Sequence, residues 1–285
     1  MKLIITIPAW NEEKTIAEVI REIPRHISGV DKVEILVFDD GSKDATVKVA
    51  KEAGADYVIS HKKNKGLAIT FRDILEQAVR LGADIMVNTD ADNHYDQSKI
   101  PELIQPILSG KADMVIGSRK NLATRNRFWN KIGSFVMTKW AGLPRYDVST
   151  GFRAYSREAI MKLGVYSIHT YVHTTLMSAD DLNLIIAEVS LPDRHVSRPS
   201  RLIKSVHSHM WKAGTNIIRN IIIFRPLRFF GILGVLLIIP GILFVLRFLY
   251  YYFFTVEGGA GHVQSLILAA VFILVGFQTI FFGLM

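Results

Sequence analysis

Short apolar runs alternate with amphipathic stretches through the first third of the chain. Residues 2–7 form an apolar run stopped by Pro8, and residues 14–25 then space Ile16, Val19, Ile20 and Ile23 at helical intervals. The alternation repeats: residues 33–38 predict a strand and 46–53 a helix, 57–59 a strand and 68–81 a helix, and 85–87 a further strand. Strands alternating with helices predict an α/β domain, a Rossmann-like and mainly parallel sheet with helices on both faces. In such sheets ligands bind beyond the carboxyl ends of the strands. Here those ends are polar and acidic, with Asp39-Asp40-Gly41-Ser42 after one run and Asn88-Thr89-Asp90-Ala91-Asp92 after another.

The pattern changes towards the C-terminus. Residues 229–246 carry no charge, 248–254 prolong the stretch beyond Arg247, and 263–285 are a second uncharged run. Each is long enough to cross a hydrocarbon core of roughly 30 Å. Pro240, Gly231, Gly234 and Gly241 are tolerated in membrane helices. Neither run has a polar face to turn to water, which argues against two soluble core helices. The pattern therefore predicts a transmembrane hairpin joined by residues 255–262. Its glycines would let spans pack closely, which also accommodates a homo-oligomer.

Charge sharpens this picture. The net charge is +8, and residues 194–228 alone hold eight Lys and Arg with no Asp or Glu, so the rest of the chain is balanced. A basic stretch beside an apolar tail points to anionic lipid headgroups, not to nucleic acid, and no helix-turn-helix or zinc pattern accompanies it. Cations flanking a span mark the cytoplasmic side. The expectation is an integral membrane protein in three parts: a cytoplasmic catalytic domain over residues 1–200, a basic amphipathic interface segment over 201–228, and a two-helix hairpin over 229–285. A helix in the headgroup layer suits residues 207–228; the other reading of that segment is an amphipathic helix packed on the globular domain. At the N-terminus the run 3–7 is too short for a signal-peptide core.

Composition removes several chemistries. There is no cysteine, which excludes disulfides, Cys-ligated zinc and thiol catalysis. No G-x-G-x-x-G follows the first strand, and no P-loop or G-x-S-x-G elbow occurs. Any phosphates must be managed by something other than a glycine loop. Asp90 and Asp92 stand at i and i+2 after a strand, and in an extended segment both side chains leave on one side and approach one cation. Mg²⁺ and Mn²⁺ favour such oxygen donors, and Mg²⁺ is typically shared between one or two carboxylates and substrate phosphates.

Four motifs occur in one order: Pro8-Ala9-Trp10-Asn11-Glu12-Glu13, Asp39-Asp40-Gly41-Ser42, Asp90-Ala91-Asp92 and Gly117-Ser118-Arg119. Over roughly the first 160 residues this order and spacing resembles family 2 glycosyltransferases of the GT-A fold. With Ser149-Thr150-Gly151-Phe152-Arg153 and the basic stretch added, the chain is most similar to the branch of dolichol-phosphate mannose synthases and polyprenyl-phosphate glycosyltransferases. The resemblance implies that Pro8, Ala9, Trp10, Glu12, Asp39 and Asp40 line the nucleoside end of a nucleotide-diphospho-sugar site. It implies that Asp90, Ala91 and Asp92 meet the donor diphosphate and its Mg²⁺ or Mn²⁺. Arg119 would lie near phosphate, and Arg198 and Arg201 would close over donor and acceptor phosphates. Asp92, Arg119, Arg198 and Arg201 are thus the expected catalytic residues.

Two departures from the family pattern matter. His94 stands where relatives often carry Gln; it is the expected third metal ligand beside Asp90 and Asp92, and imidazole suits Mn²⁺ better than Mg²⁺. Relatives also carry Glu in the segment matching residues 171–177, where this chain has Thr174 and Thr175, and the nearest acids are Asp180 and Asp181. A phosphate monoester needs no strong base, because its second pKa is about 6. The expected activity is therefore inverting transfer of a sugar to a dolichyl or undecaprenyl phosphate in a lipid bilayer. The alternatives are a membrane glycosyltransferase acting on a lipid hydroxyl and a non-catalytic scaffold that binds nucleotide-sugar.

Overall fold

The computed structural model describes residues 1–119, 150–165, 171–191, 218–219, 222–223, 225–254 and 262–285. Those up to residue 191 belong to one compact unit and those from 218 onward to a second. The first unit runs β1 (Lys2–Ala9), α1 (Ile16–Glu22), β2 (Lys32–Asp39), α2 (Thr46–Glu52), β3 (Tyr57–Ser60), α3 (Leu67–Arg80) and β4 (Ile85–Asn88). After a 3₁₀ turn at Gln97–Lys99 come α4 (Ile100–Leu108), β5 (Met114–Arg119), β6 (Arg153–Ser156), α5 (Arg157–Lys162), α6 (Val172–Asp181) and β7 (Ile186–Leu191). The seven strands form one sheet in the order β3-β2-β1-β4-β6-β5-β7. Every pairing is parallel except those of β6, which runs antiparallel to β4 and β5.

Both faces of the sheet are covered. Leu3, Ile5 and Ile7 of β1 share one core with Ile16, Val19 and Ile20 of α1 and with Ile100, Leu103 and Ile104 of α4. The alternate residues Ile4, Leu36 and Met86 are equally buried, on the face that α3 covers. A strand buried on both sides reads as a continuous apolar run, which is why residues 2–7 show no alternation.

Most boundaries shift by a residue or so from the sequence pattern, and three of the shifts have a physical reason. β1 does not stop at Pro8 but runs to Ala9, because its ladder with β4 ends at Thr6↔Asn88 whereas that with β2 continues to Ala9↔Asp39. Pro8, without an N–H, thus lies beyond the β4 ladder. α1 is shorter than 14–25: Ile23 turns extended (ψ 122°), as a residue before proline is driven to do. β2 takes in Asp39, so the first acid of that pair is a strand residue.

In the second unit, α7 (Pro226–Phe254) and α8 (Val263–Leu284) are long and apolar enough to cross a membrane. Arg247 and Pro240 are both accommodated within α7. The helices pack through glycine. A Cβ on Gly234 would lie 2.6 Å from Gly276 O, one on Gly241 would lie 3.1 Å from Ala269 O, and one on Gly283 would lie 3.0 Å from Phe230 Cβ. Rising numbers on α7 meet falling numbers on α8, the signature of an antiparallel hairpin. Two of the three glycines expected to bring spans together therefore serve the hairpin itself, while Gly231 meets nothing within 4 Å. Of the segment 201–228, most residues lie outside those described.

Candidate active site

β2 and β3 lie on one side of β1 and β4 on the other. Strand order reverses there, the point at which sheets of this kind form a ligand crevice beyond the carboxyl ends of the strands. The two strands part after Thr6 and Asn88, with a last bond from Thr89 N to Thr6 O at 3.0 Å. The expected nucleoside and diphosphate motifs follow these two strands directly.

The loops after β1 and β2 are cross-linked into one wall. Asn11 takes a left-handed conformation (φ 54°), which Asn tolerates better than most residues. Its N–H donates to Ser42 Oγ at 2.8 Å and its Oδ1 accepts from Lys43 N at 2.9 Å. Glu12 N donates to Thr46 Oγ1 at 2.8 Å, and Glu13 Oε2 accepts from Ala45 N at 2.9 Å. The Glu12 carboxylate accepts from Thr15 Oγ1 at 3.1 Å. Pro8 and Ala9 are buried beneath this wall, whereas Trp10 is 53% exposed, a large aromatic face presented to solvent beside the crevice.

The carboxylates of Asp39 and Asp40 are engaged by the loops themselves. Both oxygens of Asp39 lie 3.2 Å from Ser42 N, closing the turn after β2. Asp40 reaches to the β3–α3 loop, accepting from Lys65 N and Gly66 N at 2.8 Å each, and its Oδ1 lies 2.8 Å from His61 Nδ1. Gly41 between them has φ +72°, and a Cβ there would fall 2.7 Å from Lys63 C. Only glycine allows the two loops this approach. His61 carries no signal in the sequence pattern; its place follows from the approach of the two loops.

Asp90 is supported from below by groups distant in sequence. Asn88 Nδ2 donates to Gly151 O at 3.0 Å and to Tyr171 OH at 2.9 Å. Gly151 N donates to Tyr95 OH at 3.0 Å, and the Tyr95 ring stacks on Phe152 with centroids 5.1 Å apart. A Cβ on Gly151 would sit 3.0 Å from Asp90 Oδ1 and 2.9 Å from Tyr171 OH. Burial first, and then the neighbouring Asp90 carboxylate, hold the Tyr171 hydroxyl well above the ordinary phenol pKa. It stays a neutral hydroxyl, and its ring stacks on Phe71 at 3.9 Å.

The segment Asp90-Ala91-Asp92 is a turn, not the extended run assumed from the i, i+2 spacing. Strand pairing ends at Asn88, Ala91 is buried, and Asn93 is left-handed at φ 63°. Asp92 Oδ2 lies 2.8 Å from His94 Nδ1, a close contact without hydrogen-bond alignment, and both side chains are more than a third exposed. Among the described residues no group of three His, Asp or Glu is arranged to hold a metal ion by itself. The two carboxylates and the imidazole are hard oxygen and borderline nitrogen donors that fit Mg²⁺ or Mn²⁺ only as part of a shell, the remainder coming from water and substrate oxygens.

The antiparallel strand β6 begins where β4 ends, at Asn88↔Arg153. That places Thr150, Gly151 and Phe152 at the crevice edge. β5 finishes at the same edge with Gly117, Ser118 and Arg119, the last opposite Leu191 of β7. Gly117 N donates to Phe152 O at 2.9 Å. Arg198 and Arg201 lie outside the described residues. Thr174 and Thr175 are fully buried, with their hydroxyls bonded to Tyr171 O at 3.0 and 2.8 Å. Asp180 and Asp181 end α6, about 13 Å along the helix axis from the Tyr171 end that borders Asp90. Asn88, Tyr95, Gly151 and Tyr171 were not picked out as site residues by sequence, although Asn88 stands in the strand-end run 88–92, Gly151 in the S-T-G-F-R motif and Tyr171 at the head of the segment 171–177.

Residues 4–164 match the model of the family described as Glycosyl transferase family 2. The UDP-N-acetylglucosamine–dolichyl-phosphate N-acetylglucosaminyltransferase of Methanococcus voltae is 33% identical over 182 residues, covering 56% of this chain and 71% of that protein. The dolichyl-phosphate hexose transferase of Haloferax volcanii is 29% identical over 214 residues, covering 70% of this chain and 86% of that protein. Among solved structures, glucosyl-3-phosphoglycerate synthase from Mycobacterium tuberculosis, in complex with Mn²⁺, uridine-diphosphate and phosphoglyceric acid, superposes with a TM-score of 0.61. It is 23% identical, and the match covers 78% of this chain and 77% of that one, a likeness of fold. With more than half of its length matched by the family model, the chain belongs to glycosyl transferase family 2.

Proposed function

We propose that the protein transfers a sugar, with inversion, from a nucleotide-diphospho-sugar to a polyprenyl phosphate at the cytoplasmic face of a membrane. The observation that carries the choice of acceptor is that α6, at the end bordering Asp90, has His173 but no Asp or Glu. Thr174 and Thr175 are buried and bonded to backbone, and Asp180 and Asp181 stand at the opposite end of the helix. A hydroxyl acceptor requires a base near the reacting carbon; a phosphate acceptor arrives already ionised. The relatives named for transfer to dolichyl phosphate agree with this reading.

In this proposal the wall after β1 and β2 receives the nucleoside, with Trp10 against the base. Asp90, Asp92 and His94 hold the divalent cation, which when bound offsets charge developing on the leaving diphosphate. Gly151, Asn88 and Tyr171 fix the Asp90 carboxylate so that it does not reorganise during transfer. Arg119, Arg198 and Arg201 are the cations assigned to the donor and acceptor phosphates. The hairpin α7–α8 spans the bilayer, and the cations of residues 194–228 keep the catalytic unit on the cytoplasmic side.

The test is incubation of membranes containing the protein with polyprenyl phosphate and a panel of radiolabelled nucleotide-sugars, with Mg²⁺, Mn²⁺ or EDTA, beside Asp92→Ala. Metal-dependent and Asp92-dependent label in an organic-soluble, mild-acid-labile product is expected. Label in an acid-stable glycolipid would move the assignment to a hydroxyl acceptor.

A further inference from the structure

His61 is held between two carboxylates from different elements. Its Nδ1 lies 2.8 Å from Asp40 Oδ1, at the end of β2, and its Nε2 lies 2.9 Å from Asp73 Oδ2, on α3. The ring is buried, with its edge on Phe38 at a centroid distance of 4.8 Å. Beyond Asp40, Asp73 and this ring, the charged groups at the cluster are Lys65, with Nζ 3.7 Å from Asp73 Oδ2, and Arg72, with Nη2 3.2 Å from Asp73 Oδ1. The same Asp40 carboxylate binds the backbone of Lys65 and Gly66. One cluster therefore ties the loop after β2, the β3–α3 loop and α3 together, on the side of the crevice assigned to the nucleoside.

An ionised carboxylate only accepts hydrogen bonds, and an imidazole carries two N–H donors only when protonated. With one proton on the ring, one of the two contacts sets a nitrogen lone pair against a carboxylate oxygen. We propose that His61 is a positioning residue for donor binding: through its two ring nitrogens it clamps Asp40 to Asp73 and preforms the nucleoside wall. The clamp sets donor affinity, without a part in the transfer step. The low pKa of Asp73, which burial opposes but the bonds from His61 and Arg72 more than offset, keeps its carboxylate in the accepting form. The inference rests on the donor-site reading above.

The experiment is calorimetric titration of the full chain in detergent with UDP-glucose and with GDP-mannose in Mg²⁺, beside transfer rates at saturating donor. His61→Gln should bind about tenfold more weakly than the wild type, the worth of one charge-assisted hydrogen bond. Asp73→Asn, whose amide can donate to or accept from Nε2, should stay near the wild type. The kcat at saturating donor should stay within about twofold in both variants, a split between affinity and turnover that a merely structural loss would not give. Wild-type affinity in His61→Gln would overturn the role of His61 alone. Binding of neither probe by the wild type would overturn the donor-site reading and the clamp with it.

Discussion

Gly151 lies against Asp90: a Cβ at position 151 would come within 3.0 Å of Asp90 Oδ1 and 3.1 Å of Oδ2. The contact joins the end of β4 to the approach to β6, and its third member is Tyr171 OH at 2.9 Å. Asn88 bonds both Gly151 O and Tyr171 OH and holds those two in place, so the Asp90 carboxylate is the group that must give way. Gly151→Ala should therefore displace the carboxylate. The expected outcome is a loss of transfer of at least about tenfold with a stability cost of about 1–3 kcal/mol, the usual price of overpacking. Initial rates and thermal unfolding of the same preparation check both.

Asp92 and His94 touch at 2.8 Å, so the two should answer differently to metal. Asp92→Ala should lower transfer by at least about 100-fold, the scale of losing an electrostatic stabiliser of the leaving group. His94→Gln removes a donor that suits Mn²⁺ better than Mg²⁺. The ratio of rates in Mg²⁺ and Mn²⁺ should shift towards Mg²⁺, and an unchanged ratio would show that His94 is not a ligand.

Acid stability has an identifiable source. Burial raises the Glu34 carboxyl, but hydrogen bonds and ion pairs from Lys2 and Lys32 outweigh it and hold its pKa below the ordinary 4.5. A carboxyl depressed on folding contributes stability that is present above its unfolded pKa and is lost as pH falls through its folded one. Asp44, whose burial is likewise outweighed by bonds from Thr46, acts in the same direction. Glu34→Gln should flatten the fall of the unfolding temperature below about pH 4.5, leaving the neutral range less stable but nearly level. Circular dichroism melts at stepped pH measure the slope.

The hairpin offers paired substitutions on one helix. A Cβ on Gly234 would meet Ile280 Cγ1 at 2.5 Å and Gly276 O at 2.6 Å, whereas one on Gly231 meets nothing within 4 Å. Gly234→Ala should destabilise the α7–α8 pair by about 1–3 kcal/mol, and Gly231→Ala should be neutral or slightly stabilising through its better helix propensity. Thermal unfolding of the detergent-solubilised chain separates them.

How much could be read without coordinates varies along the chain. β1 to β4 and the helices between them are visible in the apolar runs, with the largest shift at α1, where Pro24 and the extended Ile23 end the helix early. The apolar hairpin is equally visible, since two long uncharged runs stand out in the sequence. The motif loops after β1, β2 and β4 also stand in the sequence as acid- and turn-rich breaks. What they touch does not. The i, i+2 argument for Asp90 and Asp92 assumed a strand that had already ended at Asn88, and His61 looked like one more polar residue in a lysine-rich loop.

The sequence by itself determined the alternating α/β pattern, the apolar hairpin, the local charge and the order of the four motifs, because periodicity and composition are properties of neighbouring residues. Only the tertiary structure decided that β6 enters the sheet antiparallel and carries Gly151 under Asp90. Only it decided that His61 stands between Asp40 and Asp73. Those relationships depend on strand order and on loops meeting at one edge of the sheet, and no local pattern encodes which distant segments the packing brings together.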